Sequence, residues 1–453
     1  MLKNYLTEDG FEEIFNDINS KSITKQARAF DSKQRSTGLE NYEIESASVN
    51  EAKGLALGPQ GEYILQENIR RYFDKPGINS TSIASHPDFE HLPATGGTVN
   101  QYVCTIFIDI KGSTRLSLYY DLEFIYKFKN AVLQTCIEIV RSFDGYVHRL
   151  MGDALMAFFG SNSTEKEQAV IDALNCSIMC KLMLENAIKP WLAKQKGFDT
   201  SNFGFRIGCN FGDDHEVLWG NYGYGLLGEV SPTGLPVDLA AKLQSLASKN
   251  EIMIGQGIID FINWPEEFSQ IKTVKQNGIF VEQKYVTPNY QKSDGSPLNY
   301  SMRILNYDKC LNYLPIDTSI KLRSSGNKSI PNTLIEFTCS AESDGGAMLE
   351  YASATKFLPK ERSLIFKVSA NNRGRLKFPL SVSLMKVNHG PDVPEDEKDN
   401  DPVTKKIHKS SDLFSNWEHT ETTRYRGIHT MECEIKDEDN HLIYRKKIAI
   451  LIK

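Results

Sequence analysis

The sequence predicts an α/β domain followed by an all-β sandwich, and three observations carry that prediction. Two aspartates, Asp109 and Asp153, stand 44 positions apart at the ends of apolar runs that read as strands. Apolar residues recur at helical spacing first as Phe124, Phe128, Val132, Cys136, Ile137 and Val140, and again as Val170, Leu174, Ile178 and Leu182. From Thr333 onward the pattern changes to short alternating runs separated by Gly, Asn, Asp and Pro, as packed antiparallel strands require.

Taken in order, residues 1–95 mix short helical patterns with polar breaks and end near Gly96-Gly97. They read as a helical lead-in that packs on the following domain or on a second copy of it. His86 and His91, around Pro87, read as surface-loop residues. Residues 96–312 form the α/β domain. Ile106, Phe107 and Ile108 lead as a strand into Asp109, Gly112-Ser113-Thr114 makes a turn, and the first helical stripe follows. Gly145 to Leu150 and Asp153 to Phe159 read as a hairpin bent at Met151-Gly152, which sets Asp153 beside the strand of Asp109. The second helical stripe is a core helix ended by Pro190. Residues 313–332, with Pro315, Ser324-Ser325-Gly326-Asn327 and Pro331, read as a linker.

Residues 333–453 form the sandwich, with expected strands at Thr333–Cys339, Leu364–Val368, Leu376–Val387, Thr430–Ile435 and Ile443–Leu451. The acidic stretch Pro391 to Asp401 reads as a solvated loop.

Composition narrows the function classes. No stretch approaches the roughly 20 apolar residues of a membrane span, and the N-terminus lacks the apolar core of a signal peptide, so a cytoplasmic protein without a membrane partner is expected. The eight cysteines include no Cys-x-x-Cys pair, and Cys176 with Cys180 falls at helical spacing, as reduced packing residues do. A net charge of −6 without a basic stripe argues against nucleic acid held on a broad phosphate-binding face.

The aspartate pair points to phosphoryl chemistry. Hard divalent cations take carboxylate oxygens, and two such ions clamp the attacking and leaving oxygens of a phosphoryl transfer. The small-residue turn at Gly112, Ser113 and Thr114 offers backbone N–H groups to phosphates.

These motifs, together with Phe205-Arg206-Ile207-Gly208-Cys209-Asn210-Phe211-Gly212 and Gly234-Leu235-Pro236-Val237-Asp238-Leu239-Ala240-Ala241-Lys242-Leu243, resemble the class III nucleotidyl cyclases over about residues 101–310. The resemblance implies a ferredoxin-like α/β domain that works as a homodimer with active sites at the subunit interface. It implies two divalent ions, Mn2+ or Mg2+, on Asp109, Asp153 and the backbone carbonyl of Ile110, and a nucleoside triphosphate cradled at Gly112, Ser113 and Thr114. Where purine members hold the base with a lysine three residues before the hairpin glycine, this chain has Arg149, a fork of donors with no acceptor. That fork suits the adjacent acceptors of cytosine, N3 and O2, better than uracil, whose N3 carries a proton, and guanine O6 and N7 fit it as well. Where purine members place an asparagine and then an arginine in the last block, this chain has Asp238 and Lys242. Lys242 supplies charge to the developing phosphorane, while Asp238 either shares that role or pairs with Lys242 at i,i+4.

Tyr102 and Arg149 make the chain look most like the bacterial pyrimidine cyclases of antiphage systems, and Tyr102 is expected to close the base site down to one ring. Leu235 and Pro236 are expected to crowd the same site. By this resemblance the product is cyclic CMP or cyclic UMP, with CTP favoured, read as a second messenger by a separate effector. Val368-Ser369-Ala370-Asn371-Asn372-Arg373-Gly374 and Val387-Asn388-His389-Gly390 resemble the C-terminal sensor domain of bacterial immunity cyclases.

Overall fold

The computed structural model describes residues 5–17, 63–118, 120–195, 200–224, 227–286, 290–321, 324 and 326–453. Most of the lead-in, 18–62, lies outside them. The elements of the α/β part are β1 (Val103–Lys111), α1 (Leu122–Ser142), β2 (Tyr146–Met151), β3 (Ala154–Phe159), α2 (Lys166–Met183), β4 (Gly204–Gly212), β5 (Leu218–Tyr224), β6 (Leu227–Thr233), α3 (Leu235–Leu246), β7 (Glu251–Gly255) and β8 (Met302–Leu305).

A seven-stranded sheet runs in the order β2, β3, β1, β4, β7, β8, with Ser269–Gln270 at the far edge. Only β4 and β7 pair in parallel. Strand alternation sends Cys104, Ile106, Ile108 and Ile110 of β1 into one core with α1 and α2, and turns Phe107 and Asp109 to the other face. Asp121 caps α1 by accepting the Phe124 N–H at 2.8 Å.

The second face is only partly covered. A hairpin of β5 and β6 packs there with Phe89, Leu92, Met156 and Phe158, and Trp219 stacks on Phe89 with centroids 4.1 Å apart. α3 crosses the same face against β4, where a Cβ on Gly208 would meet the Gln244 nitrogen at 2.3 Å and the Ala240 oxygen at 2.4 Å. Only glycine lets the helix sit that close.

Several expectations change here. His86 is buried, not a surface residue: its ring packs on Tyr146 and Phe89, and Nε2 lies 3.1 Å from the Gly160 carbonyl. α2 does not end at Pro190. It passes through Leu184–Ile188 into a further helix, Lys189–Lys194, whose first turn holds the proline where no N–H is needed. Residues 313–332 are no free linker: Tyr313, Leu314, Ile316 and Ile320 are buried in the α/β core, and Ile330 bridges to Arg445.

The C-terminal region is two packed sheets. One holds β9 (Ile335–Glu342), β10 (Ser363–Asn371) and β12 (Phe414–Thr422); the other holds β11 (Leu380–Val387), β13 (Gly427–Lys436) and β14 (Leu442–Ile452). Val403–Ile407 adds an edge strand beside β11. Phe337, Phe366, Leu380, Cys433 and Ile435 fill the space between them. The acidic stretch is partly tied down, since Val393 is buried and the Glu397 carboxylate accepts the Tyr425 hydroxyl at 3.0 Å.

Sandwich and α/β part share one hydrophobic cluster. Ala354, Phe357, Ile428, Ala449 and Leu451 belong to the same buried set as α2. Asn175 of α2 donates to the Ala354 carbonyl at 2.9 Å and Gln168 to that of Thr355 at 2.9 Å. That junction explains why α2 is buried on every side. All eight cysteines are buried and unpaired. Among the described residues, no helix is long and apolar enough to cross a membrane.

Candidate active site

Register brings the two aspartates together. Asp109 on β1 lies opposite Ala154 on β3, so Asp153 falls beside Ile110, whose N–H reaches the Asp153 carbonyl at 3.3 Å. Gly152, with φ of +68°, makes the turn that returns the chain there. Ser113 donates its hydroxyl to the Asp153 carboxylate, and Gly112, at φ of +90°, opens the short helix Ser113–Leu116. Two carboxylates, a hydroxyl and nearby backbone thus converge at the ends of paired strands.

Sequence reasoning missed the closest partner of this pair. Arg206 on β4 is the cross-strand neighbour of Asp109, and its Nε donates to Asp109 Oδ2 at 2.8 Å while Nη2 contacts the same oxygen. Arg206 lies in the segment from Phe205 to Gly212, but only strand register reveals what it faces. The donors here are hard oxygens, which fits a site for hard divalent cations, while the guanidinium on Asp109 Oδ2 is a competitor that a bound cation displaces.

Arg149 lies on the edge strand β2. A bulge between Val147 and Arg149 adds His148 to the strand, and both side chains converge on Glu229 of β6. Arg149 Nη2 donates to Glu229 Oε1; His148 Nε2 is 2.7 Å from that oxygen but lacks hydrogen-bond alignment. Burial lowers the His148 pKa, against the pull of the Glu229 carboxylate.

Lys242 and Asp238 both lie on α3, over the face that carries Asp109. Lys242 turns to Tyr290, donating to its hydroxyl with Nζ 4.5 Å from the ring centroid, so the i,i+4 pair with Asp238 is not made and Asp238 stays exposed. Tyr102 precedes β1, at the end remote from Asp109, and is buried, with its hydroxyl donated to the Ser161 carbonyl at 3.2 Å and to that of Thr164. Burial pushes its pKa up to about 12. Leu235 opens α3 at 42% exposure, and Glu229 is what meets Arg149.

Among the described residues, one group of three has ligand atoms close enough for a metal. Asp437, Asp439 and His441 lie at the turn between β13 and β14, where Asp437 accepts the His441 N–H and Asp439 pairs with Lys377. It belongs to the sandwich and not to the aspartate pair.

Comparison with known proteins agrees with this architecture. Residues 98–292 match the adenylate and guanylate cyclase catalytic domain, and residues 312–453 match the adenylyl/guanylyl and SMODS C-terminal sensor domain. A cytidylate cyclase of Escherichia coli is 40% identical over 405 residues, covering 86% of this chain and 88% of that one. A cytidylate cyclase of Staphylococcus aureus is 32% identical, covering 86% and 87%. A further Escherichia coli cytidylate cyclase is 31% identical over 433 residues, covering 92% and 88%. With this catalytic fold, its paired aspartates and the sensor domain in the same order, the chain belongs to the nucleotidyl cyclase family that these cytidylate cyclases represent.

Proposed function

We propose that this protein cyclises CTP to 3′,5′-cyclic CMP and diphosphate. The observation that carries the reading is the convergence of Asp109 and Asp153 in a chain 40% identical to a cytidylate cyclase. The 3′-oxygen attacks the α-phosphorus in line, the new P–O bond forms as the bond to diphosphate breaks, and the hydroxyl proton is released. Two divalent ions, Mn2+ or Mg2+, held by Asp109, Asp153 and the Ile110 carbonyl, would lower the pKa of the 3′-hydroxyl and bridge the triphosphate.

The remaining work falls to this chain's own groups. Backbone N–H groups of Gly112, Ser113 and Thr114 face the phosphates. Arg206 carries positive charge at Asp109 and turns it to the triphosphate once the carboxylate is engaged elsewhere. Arg149 donates to cytosine N3 and O2. Lys242 of a second copy neutralises the α-phosphate across a homodimer interface, and Asp238 sits beside it to orient the ribose. Eight buried, unpaired cysteines support a reducing compartment such as the cytoplasm. The cyclic nucleotide is a second messenger in antiphage defence, read by a separate effector.

Purified protein incubated with CTP, UTP, ATP or GTP and Mn2+, with products resolved by mass, tests the substrate. Cyclic CMP as the dominant product is expected. Cyclic UMP or a cyclic purine nucleotide as the main product would replace the CTP reading, and no product from any of the four would remove it.

A further inference from the structure

We propose that Glu229 is the residue that tells cytosine from uracil, by accepting a hydrogen bond from the exocyclic amine of the base that Arg149 holds. The inference rests on the assignment of Arg149 to the base in the proposed function.

The edge of cytosine reads, in order, an N4 amine that donates, an N3 that accepts and an O2 that accepts. Uracil reads O4 that accepts, N3–H that donates and O2 that accepts. An arginine alone offers only donors, so it distinguishes the two at N3 and leaves position 4 unread. The pair seen here supplies the missing element. Arg149 Nη2 and His148 Nε2 both face Glu229 Oε1, and the hydrogen bond from Arg149 falls on that oxygen. The carboxylate therefore stands next to the guanidinium with an acceptor still to offer, while the other guanidinium nitrogens remain to donate.

Set side by side, Glu229 and Arg149 present acceptor, donor, donor. That order is the complement of cytosine. Against uracil it places a carboxylate on O4 and a guanidinium N–H on N3–H. Against guanine it opposes the carboxylate to O6. Adenine matches at the amine and N1 but has no acceptor where cytosine has O2.

Local structure holds Glu229 in place for this role. It sits within β6, paired across the hairpin with Tyr222, so its backbone is fixed by the ladder. The β2 bulge at His148 turns Arg149 toward it from the neighbouring edge strand. Glu229 also lines a cleft of about 690 Å³ with His148, Tyr146, Phe158 and Trp219, and Arg149 lies outside that lining. A site built to pair a substrate amine rejects an analogue lacking it by more than a shape difference does, because the acceptor is left without its partner once the base covers it.

The test measures kcat/KM for CTP, for UTP and for the triphosphate of the 2-pyrimidinone nucleoside, which lacks the 4-amine, in the wild-type enzyme and in Glu229→Gln and Glu229→Ala. The wild type is expected to lose about 100-fold or more on the analogue relative to CTP. In Glu229→Ala that loss should shrink to a few-fold, and Glu229→Gln, whose amide can donate to O4, should shift the CTP-to-UTP ratio toward UTP by about tenfold or more. Equal losses on all three substrates would make Glu229 a positioning residue for Arg149 and overturn the proposal. A wild type that makes no cyclic CMP would instead remove the underlying reading, which separates the two failures. Because Glu229 is partly exposed, either variant is expected to fold, and the unfolding midpoint of each checks it.

Discussion

Arg206 grips Asp109 from the adjacent strand, with Nε and Nη2 on the same carboxylate oxygen. A cation bound by Asp109 must compete with that guanidinium, and the guanidinium, once displaced, remains the nearest positive charge to the phosphates. Replacing Arg206 with Met should therefore lower the Mn2+ concentration needed for half-maximal rate while lowering kcat by about tenfold or more, since a charge aimed at a developing phosphorane is worth several kcal/mol. A metal titration of both proteins measures the two effects. A higher metal requirement in the variant would mean that Arg206 serves to present Asp109 and not to compete for it.

Asp109→Ala or Asp153→Ala should each abolish cyclisation while leaving the fold in place, because both side chains sit at strand ends and not in the apolar core. Retained activity in either would sink the two-ion reading.

If the active site is shared between copies, Asp109→Ala and Lys242→Ala proteins should be inactive alone and active when mixed and refolded together. Each mixed dimer then holds one intact site, and random pairing gives about a quarter of wild-type activity. Failure to complement would place Lys242 in the same subunit as the aspartates or outside the reaction.

Lys321 is buried where the expected linker proved to be packed, and its Nζ donates to the Leu314 carbonyl at 2.5 Å and to that of Asn312 at 3.1 Å. Burial pulls its pKa down to about 7 from the ordinary 10.5. Below pH 7 both folded and unfolded chains carry the proton, and the native state bears the full cost of burying it. Between pH 7 and 10.5 only the unfolded chain keeps the proton, so this group makes the native state more stable as pH rises, by at most about 1.4 kcal/mol per unit. Urea unfolding at pH 7 and pH 9.5 should show wild type gaining on Lys321→Met by a few kcal/mol. Parallel behaviour of the two proteins across that range would rule the slope out.

Asn175→Ala removes the donor to the Ala354 carbonyl within the shared cluster and leaves that carbonyl unpaired, at a cost of about 1–3 kcal/mol. Thermal unfolding should show one transition moved as a whole; a transition that splits in two would mean that the halves unfold separately.

The aspartate pair was legible because β1 and β3 are apolar runs that end at the acidic residue, and the turn residue Gly152 marks where the second strand begins. Five sandwich strands were legible from alternation alone. Val403–Ile407 and β12 were not, since both are edge strands whose exposed positions carry Lys, Glu, Thr and His, and they read as loop. Arg206 and Glu229 escaped for another reason. Their partners are fixed by register and by a bulge, neither of which leaves a mark in local sequence. The linker expectation failed because Pro, Ser and Gly between 313 and 332 read as a break, while Ile316 and Ile320 at helical spacing pack into the core. The burial of Tyr102 and the two backbone carbonyls its hydroxyl meets depend on tertiary packing, which local sequence does not show.

The cluster that joins Ala354, Phe357, Ile428, Ala449 and Leu451 to α2 leaves no seam at which one half can be exchanged for another. A foreign sensor grafted after residue 332 would bare one side of α2, and a catalytic half expressed alone would carry the same wound. Any strain in the sandwich bears on the catalytic half through a common interior, where Ala354 meets Asn175 on a helix that α1 and the strands already grip. Such a protein needs no swinging hinge to be informed; it is tuned the way a drumhead is, by tension at its rim.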